Sequence, residues 1–182
     1  FEKIHVENPI LTYIFSQLIT ERKNVILTGN AGDGKTTIAA DVFRTLVGTY
    51  RALDPITEMP RDGLVIVKDM SELPSPKRVE ILKEAAKKTK VYLIVSNTGY
   101  LLESFTNLNP TKLQRSEILR SLRTDSPTSV FENKFLVVNV GRVDSIEIAS
   151  KVFEKMLDES NWEPCHYCRT TTWCPIAINR SL

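Results

Sequence analysis

Cysteine is scarce in this chain and confined to one place, with three residues that all fall between 165 and 174. An oxidised, secreted scaffold spreads an even number of cysteines along its length, so the pattern argues against that class and for a reducing, cytoplasmic setting. No apolar run approaches the ~20 residues that a membrane-spanning helix needs. The opening residues Phe1-Glu2-Lys3-Ile4-His5 lack the basic and then apolar regions of a signal peptide. A dominant charge is missing as well. The 24 basic and 22 acidic residues leave a net +2, which alone makes no case for nucleic acid or a membrane surface. Internal repeats and low-complexity tracts are absent. With no initiator Met at the start and an abrupt finish at Asn179-Arg180-Ser181-Leu182, the expectation is an excerpt of a longer protein.

What is present suits a globular domain. The 182 residues are 42% hydrophobic and 25% charged, enough to bury a core. Asn8-Pro9 is a helix start, and Ile10, Leu11, Ile14, Phe15, Leu18 and Ile19 recur at three-to-four spacing through about residue 21. Apolar runs at 24–28, 64–67, 91–95 and 135–140 read as buried strands, with 49–53 as a short further one and 54–62 as a loop. Helices are predicted from Lys35 to Gly48, over 75–89 with Ser75 as cap, from Thr111 to Leu122, and over 145–159. Continuous apolar strands alternating with helices predict an α/β fold with a parallel sheet of about five strands, covered on both faces.

The segment Gly29-Asn30-Ala31-Gly32-Asp33-Gly34-Lys35-Thr36, followed by Thr37, has the spacing of a phosphate-binding loop. Its glycines allow a tight turn whose N–H groups point inward at an anion, and the following helix directs its positive end to the same place. Lys35 would supply a point charge to the phosphates, and the Thr36 hydroxyl would ligate Mg²⁺. A strand before the loop and a helix after it are the context that such a loop requires.

Asp69 follows the strand 64–67 after one Lys, where P-loop proteins hold the Mg²⁺ ion; a solvated strand-end Asp is the bland alternative. Hydrolysis also needs a group that activates water. Met70 stands directly after Asp69, so Glu72 is the nearest candidate base, with an exposed loop acid as the alternative. Asn97 follows the strand 91–95 and reads either as a phosphate sensor or as a turn residue paired with Gly99. The GTP-specific Asn/Thr-Lys-x-Asp signature is absent, which favours ATP.

The leading helix 9–21, the loop Gly29–Thr36, the strand ending at Asp69 and the strand ending at Asn97 together resemble the additional-strand ATPases, the AAA+, STAND and KAP-like NTPases. The resemblance covers about residues 1–160 and implies a sheet order of 5-1-4-3-2. It implies ATP and Mg²⁺ as ligands, a γ-phosphate or water contact for Asn97, and an adenine pocket near Ile4, His5 and Val6. It also implies a homo-oligomer or larger complex driven by ATP hydrolysis, or an assembly switch with little turnover. Two departures stand out: the family's Asp-Glu pair is missing, and Arg120, Arg123 and Arg142 are only candidates for an arginine finger. A looser similarity, carried by the same loop, the segment Lys68–Glu72, Asn97-Thr98-Gly99 and the terminal cysteines, is to ATPases of bacterial phage defence, including phosphorothioation-dependent DNA restriction.

The terminal segment 161–182 reads Cys165-His166-Tyr167-Cys168 and then Cys174-Pro175. A Cys-x-x-Cys turn followed by a third Cys suits Zn²⁺, with His166, His5 or a residue elsewhere as the fourth ligand. Simple burial and redox chemistry are the alternatives. Tyr167, Arg169 and Trp173 place basic and aromatic groups side by side, so a nucleic-acid contact is a second reading of this segment.

Overall fold

In the computed structural model, residues 5–49, 51–142, 146–168, 173–175 and 178 are described. The chain divides into two compact units, one spanning Pro9–Val143 and the other made of Phe1–Asn8 with Asp144–Leu182.

The first unit is a six-stranded sheet with helices on both faces. In chain order it runs α1 (Ile10–Ile19), β1 (Asn24–Thr28), α2 (Lys35–Val47), β2 (Ile56–Met59), β3 (Leu64–Val67), α3 (Ser75–Ala86), β4 (Val91–Val95), α4 (Thr98–Thr106), α5 (Lys112–Ser121), β5 (Thr128–Val130) and β6 (Phe135–Asn139). The strand order is β2-β3-β4-β1-β6-β5. The four central strands β3, β4, β1 and β6 are mutually parallel. They lie in the order expected for the strands at 135–140, 24–28, 91–95 and 64–67.

The edges correct the expectation of a parallel sheet. β2 pairs antiparallel with β3, and β5 pairs antiparallel with β6, so the sheet is mixed. β2 forms within the segment read as a loop, while the described residues of 49–53 form no strand. Its sequence, Ile56-Thr57-Glu58-Met59, is too short and too polar to stand out, and it is held by the full register Ile56↔Val67 to Met59↔Leu64. The helix α4 was also unanticipated, because it starts directly after β4 with Gly99 in its first turn.

Strand parity explains the continuous apolar runs. On one face Val25, Leu27, Leu64, Ile66, Leu93, Val95 and Leu136 pack against Leu11, Ile14 and Leu18 of α1 and Ile38, Val42 and Phe43 of α2. On the other, Ile26, Val65, Val67, Ile94, Phe135 and Val137 meet Ile81 and Leu82 of α3, Leu101 and Phe105 of α4, and Ile118 of α5. Alternate residues of one strand therefore go to opposite cores, and both must be apolar. Phe105 stacks on Phe131 at 4.9 Å and meets Phe135 edge-on at 5.6 Å, which closes the second core near β6.

Asn24 is the polar exception at the start of β1. Its Nδ2 donates to the carbonyls of Ala85 (2.8 Å) and Lys134 (2.9 Å), and its Oδ1 accepts from the Tyr92 N–H at 3.0 Å. One buried carboxamide thus ties together the end of α3, β4 and the approach to β6. Each backbone group left unpaired in such a place costs about 1–3 kcal/mol.

The second unit holds α6 (Ile146–Leu157), which spans most of the helix predicted over 145–159, and short 3-10 turns at Glu159–Asn161 and Glu163–Tyr167. Asp158 caps the first of these turns by accepting from the Ser160 N–H at 2.9 Å. Lys155 Nζ donates to the His5 carbonyl, joining the two sequence-distant parts of this unit. Among the described residues no helix is long and apolar enough to cross a membrane.

Asn24→Ala is expected to lower stability by about 3 kcal/mol, read as a shifted midpoint in urea unfolding. A change below about 0.5 kcal/mol would show that the three backbone groups find other partners.

Candidate functional site

Parallel strands that share a direction deliver the residues at their C-terminal ends to one edge of the sheet, the usual location of an α/β ligand crevice. Here those residues are Thr28-Gly29 after β1, Asp69 two positions past β3, Asn97 two positions past β4, and Asn139 at the end of β6. Because β4 lies between β1 and β3, the Asn97 turn stands between the glycine loop and Asp69. A cleft of about 360 Å³ opens there, lined by Ala31, Gly32, Gly34, Lys35, Thr36, Thr37, Asp69, Val95 and Asn97.

The loop needs its glycines. Gly29 has φ +140°, and a Cβ there would run into the Asp33 carboxylate and lie 3.0 Å from the Gly141 nitrogen. Gly34 has φ +78° in the left-handed region and occupies the N-cap of α2, where no side chain makes a capping bond. The first N–H groups of α2 therefore reach the cleft without a side-chain cap, and the helix dipole adds positive potential.

Two charged side chains brace the loop from within. Asp33 Oδ2 accepts from the Asn30 N–H, and Lys35 Nζ donates to the Asn30 carbonyl. Lys35 is only 7% exposed, so its ammonium depends on that carbonyl for a partner. The Thr36 hydroxyl is exposed on the same rim.

Asp69 has an extended backbone and caps a 3-10 turn over Met70–Glu72, with Oδ1 accepting from the Ser71 N–H at 2.8 Å. Its other carboxylate oxygen has no hydrogen-bond partner among the described residues. Asn97 is the N-cap residue of α4, yet its side chain makes no capping bond, so its carboxamide is not consumed by the turn.

Other residues of this unit considered for the site do not line the cleft. Glu72 does not line the cleft: the 3-10 turn directs its carboxylate to Lys68 at 3.1 Å, on an exposed surface. Met70, directly after Asp69, is fully buried in the second core. His5 and Val6 belong to the other unit, and Ile4 lies outside the described residues. Arg120 and Arg123 are exposed, and Arg142 pairs loosely with Asp125 at 3.9 Å.

Cys165 sits in the turn Glu163–Tyr167, and its carbonyl accepts from the Cys168 N–H at 3.2 Å. Among the described residues, no three of His, Cys, Asp and Glu assemble into a metal site. The His166 side chain and Arg169 lie outside the described residues. Tyr167 and Trp173 are both exposed.

One site residue escaped the sequence reading. Asn139 pairs in register with Thr28 and donates from Nδ2 to the Leu122 carbonyl at 2.9 Å. Its Oδ1 lies 3.4 Å from where a Gly29 Cβ would be, so it supports the underside of the loop. The available signal was the one that marks Asp69 and Asn97, a polar residue ending an apolar strand.

Comparison of the chain with protein-family models, with curated proteins and with solved structures finds no match.

Gly29→Ala is expected to cost about 1–3 kcal/mol of stability, because the new methyl group meets both an unfavourable φ and the Asp33 carboxylate. Calorimetric melting checks this, and an unchanged melting temperature would mean that the loop relaxes around the methyl group.

Proposed function

We propose that this chain is the nucleotide-binding part of an ATP-hydrolysing protein of the additional-strand P-loop group, acting in a larger complex. The observation that carries the reading is one of convergence. Thr36, the second oxygen of Asp69 and the Asn97 carboxamide come from three separate elements, have no internal partners among the described residues, and line one cleft with the glycine loop. Polar side chains left unpaired within one cleft suit a polar ligand. The order β3-β4-β1-β6, with β4 between β1 and β3, is the one that the resemblance implies and adds support.

On this reading the loop N–H groups and Lys35 hold the β- and γ-phosphates of ATP. The Thr36 hydroxyl and the Asp69 carboxylate would hold Mg²⁺, a hard cation that takes oxygen ligands, and the Ser71 N–H bond keeps Asp69 aimed. Bound there, Mg²⁺ would neutralise charge on the phosphates. Asn97 is suited to contact the γ-phosphate or to orient the attacking water.

A second reading draws on Met70 and Glu72. With Met70 in the core and Glu72 paired to Lys68, Asp69 is the sole carboxylate among the residues that line the cleft. It is committed to the metal on this scheme, which leaves no base for water. This favours slow turnover by the chain alone, as in a nucleotide-dependent assembly switch, with a partner chain completing the site.

Lys35→Ala is expected to weaken ATP binding about 10- to 150-fold, the equivalent of one charged hydrogen bond of 1.5–3 kcal/mol, measured by titration calorimetry. Asp69→Asn should weaken binding in Mg²⁺ but leave binding in excess chelator unchanged. Failure of the unaltered chain to bind ATP would sink the proposal, as would indifference to the Lys35 substitution.

Phosphate release separates the two readings. Glu72→Gln should leave any turnover within about twofold, since that carboxylate faces Lys68 and away from the cleft. A loss of about 100-fold, the scale of a general base, would reinstate Glu72 in the chemistry.

A further inference from the structure

The solvent face of α5 carries a feature that the nucleotide reading does not use. With 3.6 residues per turn, Lys112, Arg115, Ser116, Leu119, Arg120 and Arg123 fall on one side of the helix and its continuation at Leu122, and all six are exposed. Four are cations, and none of these forms an ion pair among the described residues. Most other basic side chains of this unit do, including Lys68, Lys77, Arg78, Lys87 and Lys90. The face has no acid. Glu117 points the other way, with its carboxylate accepting from the Phe131 N–H at 3.1 Å. In a chain of net charge +2, four unpaired positive charges in one stripe are a local excess.

Helix stability does not explain them. The first turn of α5 has no acidic residue and begins with Lys112, where the helix dipole disfavours a cation. The helix is nucleated instead by a capping box between Thr111 and Gln114. The buried side needs only Ile118 and Ser121 to hold it in place. The basic face is therefore surplus to the fold.

We propose that this face of α5 binds the phosphodiester backbone of a nucleic acid. A stripe of three Arg and one Lys along roughly 16 Å of helix, with the Ser116 hydroxyl among them, fits a linear polyanion contacted at its phosphates. Such contacts carry no base readout, so binding is sequence-independent. Affinity comes from counterion release, and Lys112, Arg115, Arg120 and Arg123 each displace about one condensed ion. The proposal does not rest on the nucleotide reading and needs no ATP.

The test is fluorescence anisotropy of the 182-residue chain with a labelled mixed-sequence duplex and, separately, its single strand, from 50 to 200 mM salt. The expected slope of log affinity against log salt is about −3.6 for the duplex and about −2.8 for the single strand. Lys112→Gln with Arg115→Gln should reduce the duplex slope by about 1.8 and weaken binding at least about tenfold. This pair is chosen because losing cations from a first turn does not destabilise a helix. Lys87→Gln with Lys90→Gln, outside α5, should leave the slope unchanged. Absence of binding at 50 mM salt overturns the proposal, as does a slope that the α5 pair leaves unchanged or that both pairs lower equally. Binding to polyglutamate but not to either DNA, lost in the α5 pair, also overturns it and assigns the face to an acidic protein.

Discussion

β1 is hydrogen-bonded in parallel on both sides, to β4 and to β6, and all five of its residues are buried. Its position sets the positions of the rest. Val25 and Leu27 feed one core and Ile26 the other, so both cores are built on this one strand. The glycine loop begins where β1 ends, and its two neighbours deliver Asn97 on one side and Asn139 on the other. Asn24 fixes the opposite end by binding the backbone of three elements at once. A strand held at both ends and on both sides cannot slip by one residue without exchanging its two cores. The register of the cleft therefore follows from the burial of β1.

The central sheet and the loop were legible in the sequence because each had a strong physical signature. Four apolar runs of four or more residues could not be anything but buried, and the spacing from Gly29 to Thr36 is hard to produce by accident between a strand and a helix. The edge strands carried no comparable signal. β5 is a strand of three residues directly after Pro127, and β2 is half-polar, so each depends on a long-range partner that local pattern does not contain. α4 was missed for the opposite reason: Thr98-Gly99 looks like a turn, and the apolar face of Leu101 and Phe105 is what makes it a helix.

The site was readable in part for the same reason. Asp69 and Asn97 were identified by position, as polar residues ending apolar strands, and that rule depends only on the sheet being parallel at its centre. The direction of Glu72 depends on a 3-10 turn of three residues and on Lys68 beside it, a choice between near-equal loop geometries. Asn139 followed the same positional rule as Asp69 and Asn97 but was absorbed into its strand.

The interior of the loop bears on what kind of ligand the cleft would favour. The Asn30 backbone N–H donates to the Asp33 carboxylate and its backbone carbonyl accepts from the Lys35 ammonium, so this residue's backbone sits between opposite charges. An incoming anion competes for Lys35 and leaves Asp33 in place. The gain is then a difference, an ammonium–anion bond formed against an ammonium–carbonyl bond lost, and it rests on the added Coulomb attraction between two opposite charges. A neutral ligand would gain little from that exchange, and the nearby Asp33 carboxylate would oppose an anion in proportion to its charge. On the proposed reading, a ligand with several negative charges would bring a divalent cation to Thr36 and Asp69, and that cation would offset the repulsion from Asp33. The Asp33–Asn30–Lys35 brace would then favour a metal-bound triphosphate over a ligand of low charge.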